Sequence, residues 1–170
     1  MPRRAGAIAM ARRIIELWAL AGGLLLVAII LMNAYSLVAD ILFGKPLAGD
    51  FELVEVGVAV AAFAFLPYCQ LTGANVSADI FMQNVRPGIQ AALSAAAGAI
   101  ALAFAALLLW RMALGLVELR QYRETTTIVG FPIWVAYLPI LASLALLVIA
   151  ALISLRDALS GARAPGASGH

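Results

Sequence analysis

Residues 133–155 read IWVAYLPILASLALLVIAALISL, a run of 23 residues without a charged side chain. About 20 consecutive apolar residues are enough to cross the hydrocarbon core of a bilayer as a helix. Three further apolar runs, of 23, 17 and 22 residues, precede it at 17–39, 53–69 and 89–110, and the run 53–69 contains Glu55. Because lipid offers no partners for backbone N–H and C=O groups, a spanning segment this apolar is expected to be helical. The sequence therefore predicts an all-α integral membrane protein with four transmembrane helices.

The overall composition agrees with a chain that lies mostly in lipid. Hydrophobic residues make up 65% of the 170 residues and charged residues 12%, with a mean hydropathy of +1.03. Soluble domains contain roughly 45–50% apolar and 25% charged residues. The net charge is +2, and the basic residues flank the apolar runs instead of forming a stripe. The composition therefore argues against a soluble core, and the scattered basic residues argue against nucleic-acid binding.

The residue inventory also argues against catalysis. The chain has one cysteine, Cys69, and one histidine, His170. A His/Cys metal centre and a Ser/His/Asp triad therefore cannot be assembled from it. No glycine-rich phosphate loop is present either. We expect a protein that is not an enzyme and that holds no metal or cofactor.

The charge pattern orients the predicted helices. We divide the chain into a basic N-terminal lead at 1–16, a membrane domain at 17–155 and a flexible tail at 156–170. The first run is longer than the ~7–15 apolar residues of a signal peptide, so we expect an uncleaved helix. The positive-inside rule favours cytoplasmic termini, because that orientation places seven basic residues inside and four outside. The seven are Arg3, Arg4, Arg12, Arg13, Arg86, Arg156 and Arg163, and the four are Lys45, Arg111, Arg120 and Arg123.

The segment between the second and third runs has a helical pattern of its own. Val76, Ile80, Phe81 and Val85 recur near helical spacing, and polar residues lie between them. Such a segment can lie in the membrane interface with its apolar side down. The pattern predicts a short interfacial amphipathic helix over 76–85, and a plain connection is the alternative.

Two carboxylates open the second run. Glu52 and Glu55 are three residues apart and share a helical face. At a helix N-terminus carboxylates are favoured by the helix dipole, which is the simplest interpretation. Contact with a partner subunit and an intramembrane ion or proton site are the other two.

The third run is rich in alanine and ends at Trp110, and Arg111 follows it directly. Small residues allow close approach of helices, although a general alanine bias explains the same composition. At the end of a span, an arginine beside a tryptophan can extend to the lipid headgroups. We therefore expect Arg111 at the membrane surface.

A dense polar and aromatic cluster precedes and opens the fourth run. Pro132 suits the first turn of a helix, Trp134 and Tyr137 suit the aromatic belt, and Pro139 predicts a local bend. Arg123, Glu124 and Thr125 begin the cluster. These residues indicate an anchored start to the fourth helix.

This cluster also carries a family resemblance. The segment RETTTIVGFPIWVAYLPI, residues 123–140, resembles the start of the fourth helix in the small membrane (DctQ-like) subunit of tripartite ATP-independent periplasmic (TRAP) transporters. Residues 49–81 resemble that family's second span, where the matching positions are Gly49, Glu52, Leu53, Glu55, Val76 and Asp79. Asn75 and Ser77 stand where the family often carries His and Arg.

The resemblance implies a non-enzymatic transporter subunit of the bacterial inner membrane. Its partners would be the lipid bilayer, a large permease subunit that carries substrate and sodium, and a periplasmic solute-binding protein. The small subunit would brace the large one during uptake of an organic acid. The alternative is an autonomous homo-oligomeric transporter or channel with Glu55 as its coupling carboxylate. The candidate partner-contact or anchoring residues are Glu52, Glu55, Asp79, Arg123, Glu124, Thr125, Pro132, Trp134, Tyr137 and Pro139.

Overall fold

A computed structural model describes residues 2–72 and 87–162 and shows four helices. They are α1 (Pro2–Phe43), α2 (Asp50–Thr72), α3 (Pro87–Tyr122) and α4 (Ile133–Ala162). All four are long and apolar enough to cross a membrane. The described residues form no strand, and Thr125 and Pro132 make one isolated bridge. The predicted all-α membrane fold with four transmembrane helices is confirmed.

Two predicted features lie outside the described residues. They are the short interfacial helix over 76–85, which includes Asp79, and most of the tail after Arg156.

The helices extend beyond the apolar runs from which they were predicted. α3 continues from Trp110 through Arg111 to Tyr122. The added residues are mostly good helix formers, including Leu, Met, Ala, Glu and Arg. Charge ends an apolar run, but a helix ends where its backbone is capped. The end of an apolar run therefore does not mark where its helix stops.

A tight seam joins α1 to α2. The side of α1 that packs inward repeats about every 3.5 residues, as in an antiparallel coiled coil. Its buried residues are Ile15, Ala19, Gly22, Ile29 and Ser36. A Cβ atom added to Gly22 would lie 2.7 Å from the Ala64 Cβ atom of α2. The missing side chain at Gly22 thus sets how closely the two helices approach.

The helices form an open layer in the spatial order α1, α2, α4, α3. Extensive packing joins α1 to α2, α2 to α4 and α4 to α3, with a smaller contact between α1 and α4. Within the described residues, α3 has no comparable contact with α1 or α2. The α4 helix contains three fully buried residues, Leu144, Ala150 and Ala151. In contrast, only 6% of the most apolar 18-residue stretch of α3 is buried. α4 is the central helix, and α3 lies at one edge.

A chain of two hydrogen bonds joins α1 to α4. The Trp18 Nε1–H group of α1 donates to Ser143 Oγ of α4 at 2.9 Å, and Ser143 Oγ donates to the Pro139 carbonyl at 2.8 Å. Ser143 is 1% exposed, and both bonds satisfy its hydroxyl. Interhelical hydrogen bonds of this kind contribute about 0.6 kcal/mol in a membrane.

Candidate functional site

The polar side chains concentrate at one end of the layer, which we call the loop end. It is formed by the connections 44–49 and 123–132. Glu52, in the first turn of α2, is half-buried there. Its Oε1 atom accepts the Ile128 N–H at 2.8 Å, and its Oε2 atom accepts the Val129 N–H at 3.0 Å. One carboxylate therefore fastens α2 to the connection between α3 and α4.

The connection 126–131 is shaped to offer these two amides. The Thr126 N–H donates to the Phe131 carbonyl at 2.9 Å, and the Phe131 N–H donates to Thr126 Oγ1 at 3.0 Å. The Gly130 N–H donates to the Thr126 carbonyl at 3.2 Å, and Gly130 has φ of +68°. Because these bonds close the turn on itself, the amides of Ile128 and Val129 stay free for an anion, as in backbone nests.

The connection between α1 and α2 is fastened at the same place. Ser36 Oγ donates to Asp50 Oδ2 at 2.6 Å and accepts the Leu47 N–H at 3.0 Å. Ser36 is 1% exposed. Gly49 is buried with φ of +79°, and a Cβ atom there would collide with the Val129 side chain. The two connections of the loop end therefore pack directly on each other.

The end of α3 is capped by its own backbone. Arg123 has φ of +50°, and the Glu124 N–H donates to the Leu119 carbonyl at 3.3 Å. This is the bond pattern of a Schellman cap, in which the left-handed residue is usually glycine. The Glu124 carbonyl then accepts the Ile133 N–H at 3.1 Å, which starts α4. The backbone at Arg123 and Glu124 therefore sets the turn from α3 into α4.

Three cavities open around the loop end. An apolar groove of about 500 Å³ lies between α1, α2 and α4, with Glu52 and Pro139 in its lining. A cleft of about 340 Å³ is lined by both carboxylates, Glu52 and Glu55, together with Thr125 and Tyr137. The third cavity, about 360 Å³, is basic and aromatic: it is lined by Arg120, Arg123, Thr125, Pro132 and Trp134.

The structure brings most of the predicted candidates to this end. The cleft gathers Glu52, Glu55, Thr125 and Tyr137, and the basic cavity gathers Arg123, Thr125, Pro132 and Trp134. Glu55 differs from Glu52, because it is exposed and makes no hydrogen bond or ion pair with the described residues. Whether any candidate contacts a partner stays a prediction.

Several contacts of the loop end were not predicted from the sequence. The pairing of Ser36 with Asp50 had a faint signal, since Ser36 interrupts an apolar run and Asp50 lies just before Glu52. The partner of Glu52 gave none, because it is a pair of backbone amides 76 and 77 residues away. Arg120 was counted only for its charge, yet its guanidinium lies 5.2 Å from the centre of the Trp134 ring.

The polar side chains of the loop end form hydrogen bonds that hold the helices and their connections together. The carboxylates and hydroxyls that make bonds there bind backbone amides or each other. In residues 2–72 and 87–162, no group of three or more His, Cys, Asp or Glu side chains is placed to hold a metal ion. These features define a small multi-pass helical membrane protein whose polar contacts serve to join helices.

Comparison with protein families assigns this membrane protein more narrowly. The family described as tripartite ATP-independent periplasmic transporters, DctQ component, matches residues 29–161. That range covers most of the 170 residues, so the chain belongs to the DctQ family of transporter components. The resemblance found in the sequence is thereby confirmed. Searches of curated proteins and of solved structures give no significant match.

Proposed function

We propose that this chain is the small permease subunit of a TRAP-type secondary transporter. It supports a large, sodium-coupled permease subunit, which takes up a solute delivered by a periplasmic binding protein. The solute is an organic acid, and the complex lies in the inner membrane of a bacterium. The DctQ family match supports the subunit role.

The observation that carries this proposal is the open layer of helices. A carrier that works alone needs a solvated substrate site near the middle of the membrane, commonly between repeated halves. Here the groove between α1, α2 and α4 is almost wholly apolar, and its polar lining residues lie at the loop end. Among the described helices, the layer instead leaves broad apolar faces exposed, most of all on α3. Such faces suit a supporting subunit that extends a larger protein in the bilayer.

Reconstitution in proteoliposomes tests the proposed function. The large TRAP permease subunit and its binding protein should take up solute under a sodium gradient when this chain is present. We expect uptake to fall to background when the chain is left out, and the chain alone should transport nothing. Uptake by the chain alone, abolished by Glu55→Gln, would instead establish the autonomous carrier.

The proposed orientation has both termini in the cytoplasm and the loop end facing the periplasm. It follows from the distribution of basic residues under the positive-inside rule. In a Cys69→Ala background, a membrane-impermeant thiol reagent should label Lys45→Cys in intact cells and label Gly166→Cys only after lysis. The reverse labelling pattern would invert the orientation.

A further inference from the structure

Contacts among α1, α2 and α4 show how the apolar runs of these three helices are aligned along the membrane normal. Gly22 of α1 is opposite Ala64 of α2, and Ser36 bonds to Asp50 at the other end of the same seam. At the far end of α2, the Gln70 carbonyl accepts a bond from Ser154 of α4. Along these two contacts the apolar run 17–39 lies level with 53–69, and 53–69 lies level with 133–155; the Trp18–Ser143 bond shows that α1 crosses α4 at an angle. Together they define one hydrocarbon layer.

The remaining helix, α3, contacts α4 at three depths. A Cβ atom on Gly98 would lie 3.3 Å from Leu155 Cα, and one on Gly115 would lie 3.4 Å from Tyr137 Cε1. The Arg120 guanidinium lies 5.2 Å from the Trp134 ring centre. These antiparallel pairs place residues 98–120 of α3 level with the apolar run of α4.

This register places Arg111 deep in the hydrocarbon layer. Between the pairs Gly115–Tyr137 and Gly98–Leu155, Arg111 falls level with Ala142. Ala142 is nine residues inside α4, or about 14 Å below its start at a rise of 1.5 Å per residue. The end of the apolar run at 110 suggests instead that Arg111 lies at the membrane surface. In that case it would lie level with Trp134, where the structure places Arg120.

Helix geometry favours an Arg111 side chain that leans away from the loop end. Side chains of a helix lean toward its N-terminus, and the N-terminus of α3 is at the end opposite the loop end. Extension toward headgroups at the loop end is therefore disfavoured. Arg111 is also exposed, on the side of α3 turned away from Gly98 and Ala105, which pack against α4.

No carboxylate of the described residues neutralises Arg111. Arg12 and Asp157 form an ion pair, whereas Arg111 makes no hydrogen bond or ion pair with the described residues. Glu118 lies two turns further along the same face, and the lean of the Arg111 side chain takes it away from Glu118. A charged side chain at this depth is costly in lipid and in membrane proteins is almost always paired.

We propose that the outer face of α3 docks on a transmembrane helix of the large permease subunit, where an aspartate or glutamate at mid-depth pairs with Arg111. We define this outer face by Ile100, Ala103, Leu107, Arg111 and Leu114, all of them exposed. The proposal rests on the proposed function, since it names the partner chemistry of that subunit. The positive charge in an otherwise apolar face is what selects an acidic partner helix.

A second copy of this chain fits the outer face of α3 less well than an acidic permease helix does. In a two-fold dimer with its axis along the membrane normal, equivalent residues lie at the same depth. A dimer through the outer face would therefore place one Arg111 beside the other, and like charges repel. Lipid phosphate is also disfavoured, because Arg111 lies about 14 Å below the start of α4 and its side chain is expected to lean away from that end.

Co-purification of the large permease subunit with tagged full-length chain tests the pair. Arg111→Leu should weaken the complex about tenfold or more, because one partner of a buried charge pair is left alone. In the absence of the permease, the same change should raise the thermal stability of the chain, since an unpaired charge leaves the lipid. Arg111→Lys should retain most of the complex. Arg13→Leu, which removes the same charge from an exposed residue before the apolar run of α1, is the matched control.

A photo-crosslinking amino acid at Leu107 identifies the occupant directly, with Leu24 on the exposed side of α1 as the comparison site. We expect a crosslink from Leu107 to the permease. Crosslinks from Leu24 alone, or a normal complex with Arg111→Leu, would overturn the docking face and leave the subunit role intact. A crosslink from Leu107 to a second copy of the chain would also overturn it. If the wild-type chain binds no permease at all, both proposals fail.

Discussion

Replacing Glu52 with glutamine is expected to loosen the loop end. The carboxylate accepts two backbone amides at once, from Ile128 and Val129. Glutamine keeps one acceptor oxygen but turns an NH₂ group toward the second amide, so one hydrogen bond is replaced by a donor–donor contact. The midpoint of thermal unfolding in detergent should fall by about 3–6 °C. Exchange of the Ile128 and Val129 amide hydrogens should become faster.

Glu55→Gln is the matched control for this change. It alters the same functional group one helical turn away, on a side chain that is exposed and makes no bond with the described residues. Its unfolding midpoint and its amide exchange should stay close to those of the wild type. Equal shifts for the two variants would mean that Glu52 does not hold the 126–131 connection.

Gly22→Ala should separate α1 from α2. The added methyl group would lie 2.7 Å from the Ala64 Cβ atom, which is attached directly to the backbone and has no rotamer to give way. The helices must therefore move apart, and overpacking of this kind typically costs about 1–3 kcal/mol. Unfolding of the purified chain in a denaturing detergent measures the loss as a change in the free energy of unfolding.

The neighbouring glycine provides the control. A Cβ atom at Gly23 would have the Phe65 Cζ atom as its nearest neighbour, at an ordinary contact distance of 3.8 Å. Gly23→Ala should be neutral or stabilise the chain by up to about 1 kcal/mol through its higher helix propensity. If both substitutions had the same effect, helix propensity and not the seam would govern stability at this position.

The number and type of helices follow from the sequence because lipid leaves the backbone few choices. A 23-residue run without charge, such as 17–39, has to satisfy its own amides, and one helix does so. The cluster at 123–139 was likewise predictable as the start of an anchored helix, since proline, tryptophan and tyrosine have strong positional preferences at membrane surfaces.

The contacts between helices did not follow from the sequence, for physical reasons that differ from case to case. Glu52 is bound by backbone amides, which have no signature in the sequence. The order α1, α2, α4, α3 depends on which apolar faces match in shape, and all four runs are apolar nearly all round. The depth of Arg111 follows from the register of α3 against α4, whereas the end of an apolar run suggests a different depth.

The central position of α4 has a consequence for biosynthesis. α1 and α2 are made first, are joined by a short connection and pack on each other, so this hairpin can form while the ribosome is still working. α3 emerges next, but its extensive packing partner among the described helices is α4, which is translated after it. Until α4 is inserted, the nascent chain consists of a finished hairpin and a solitary third helix. Translation of α4 joins these two pieces into a single unit.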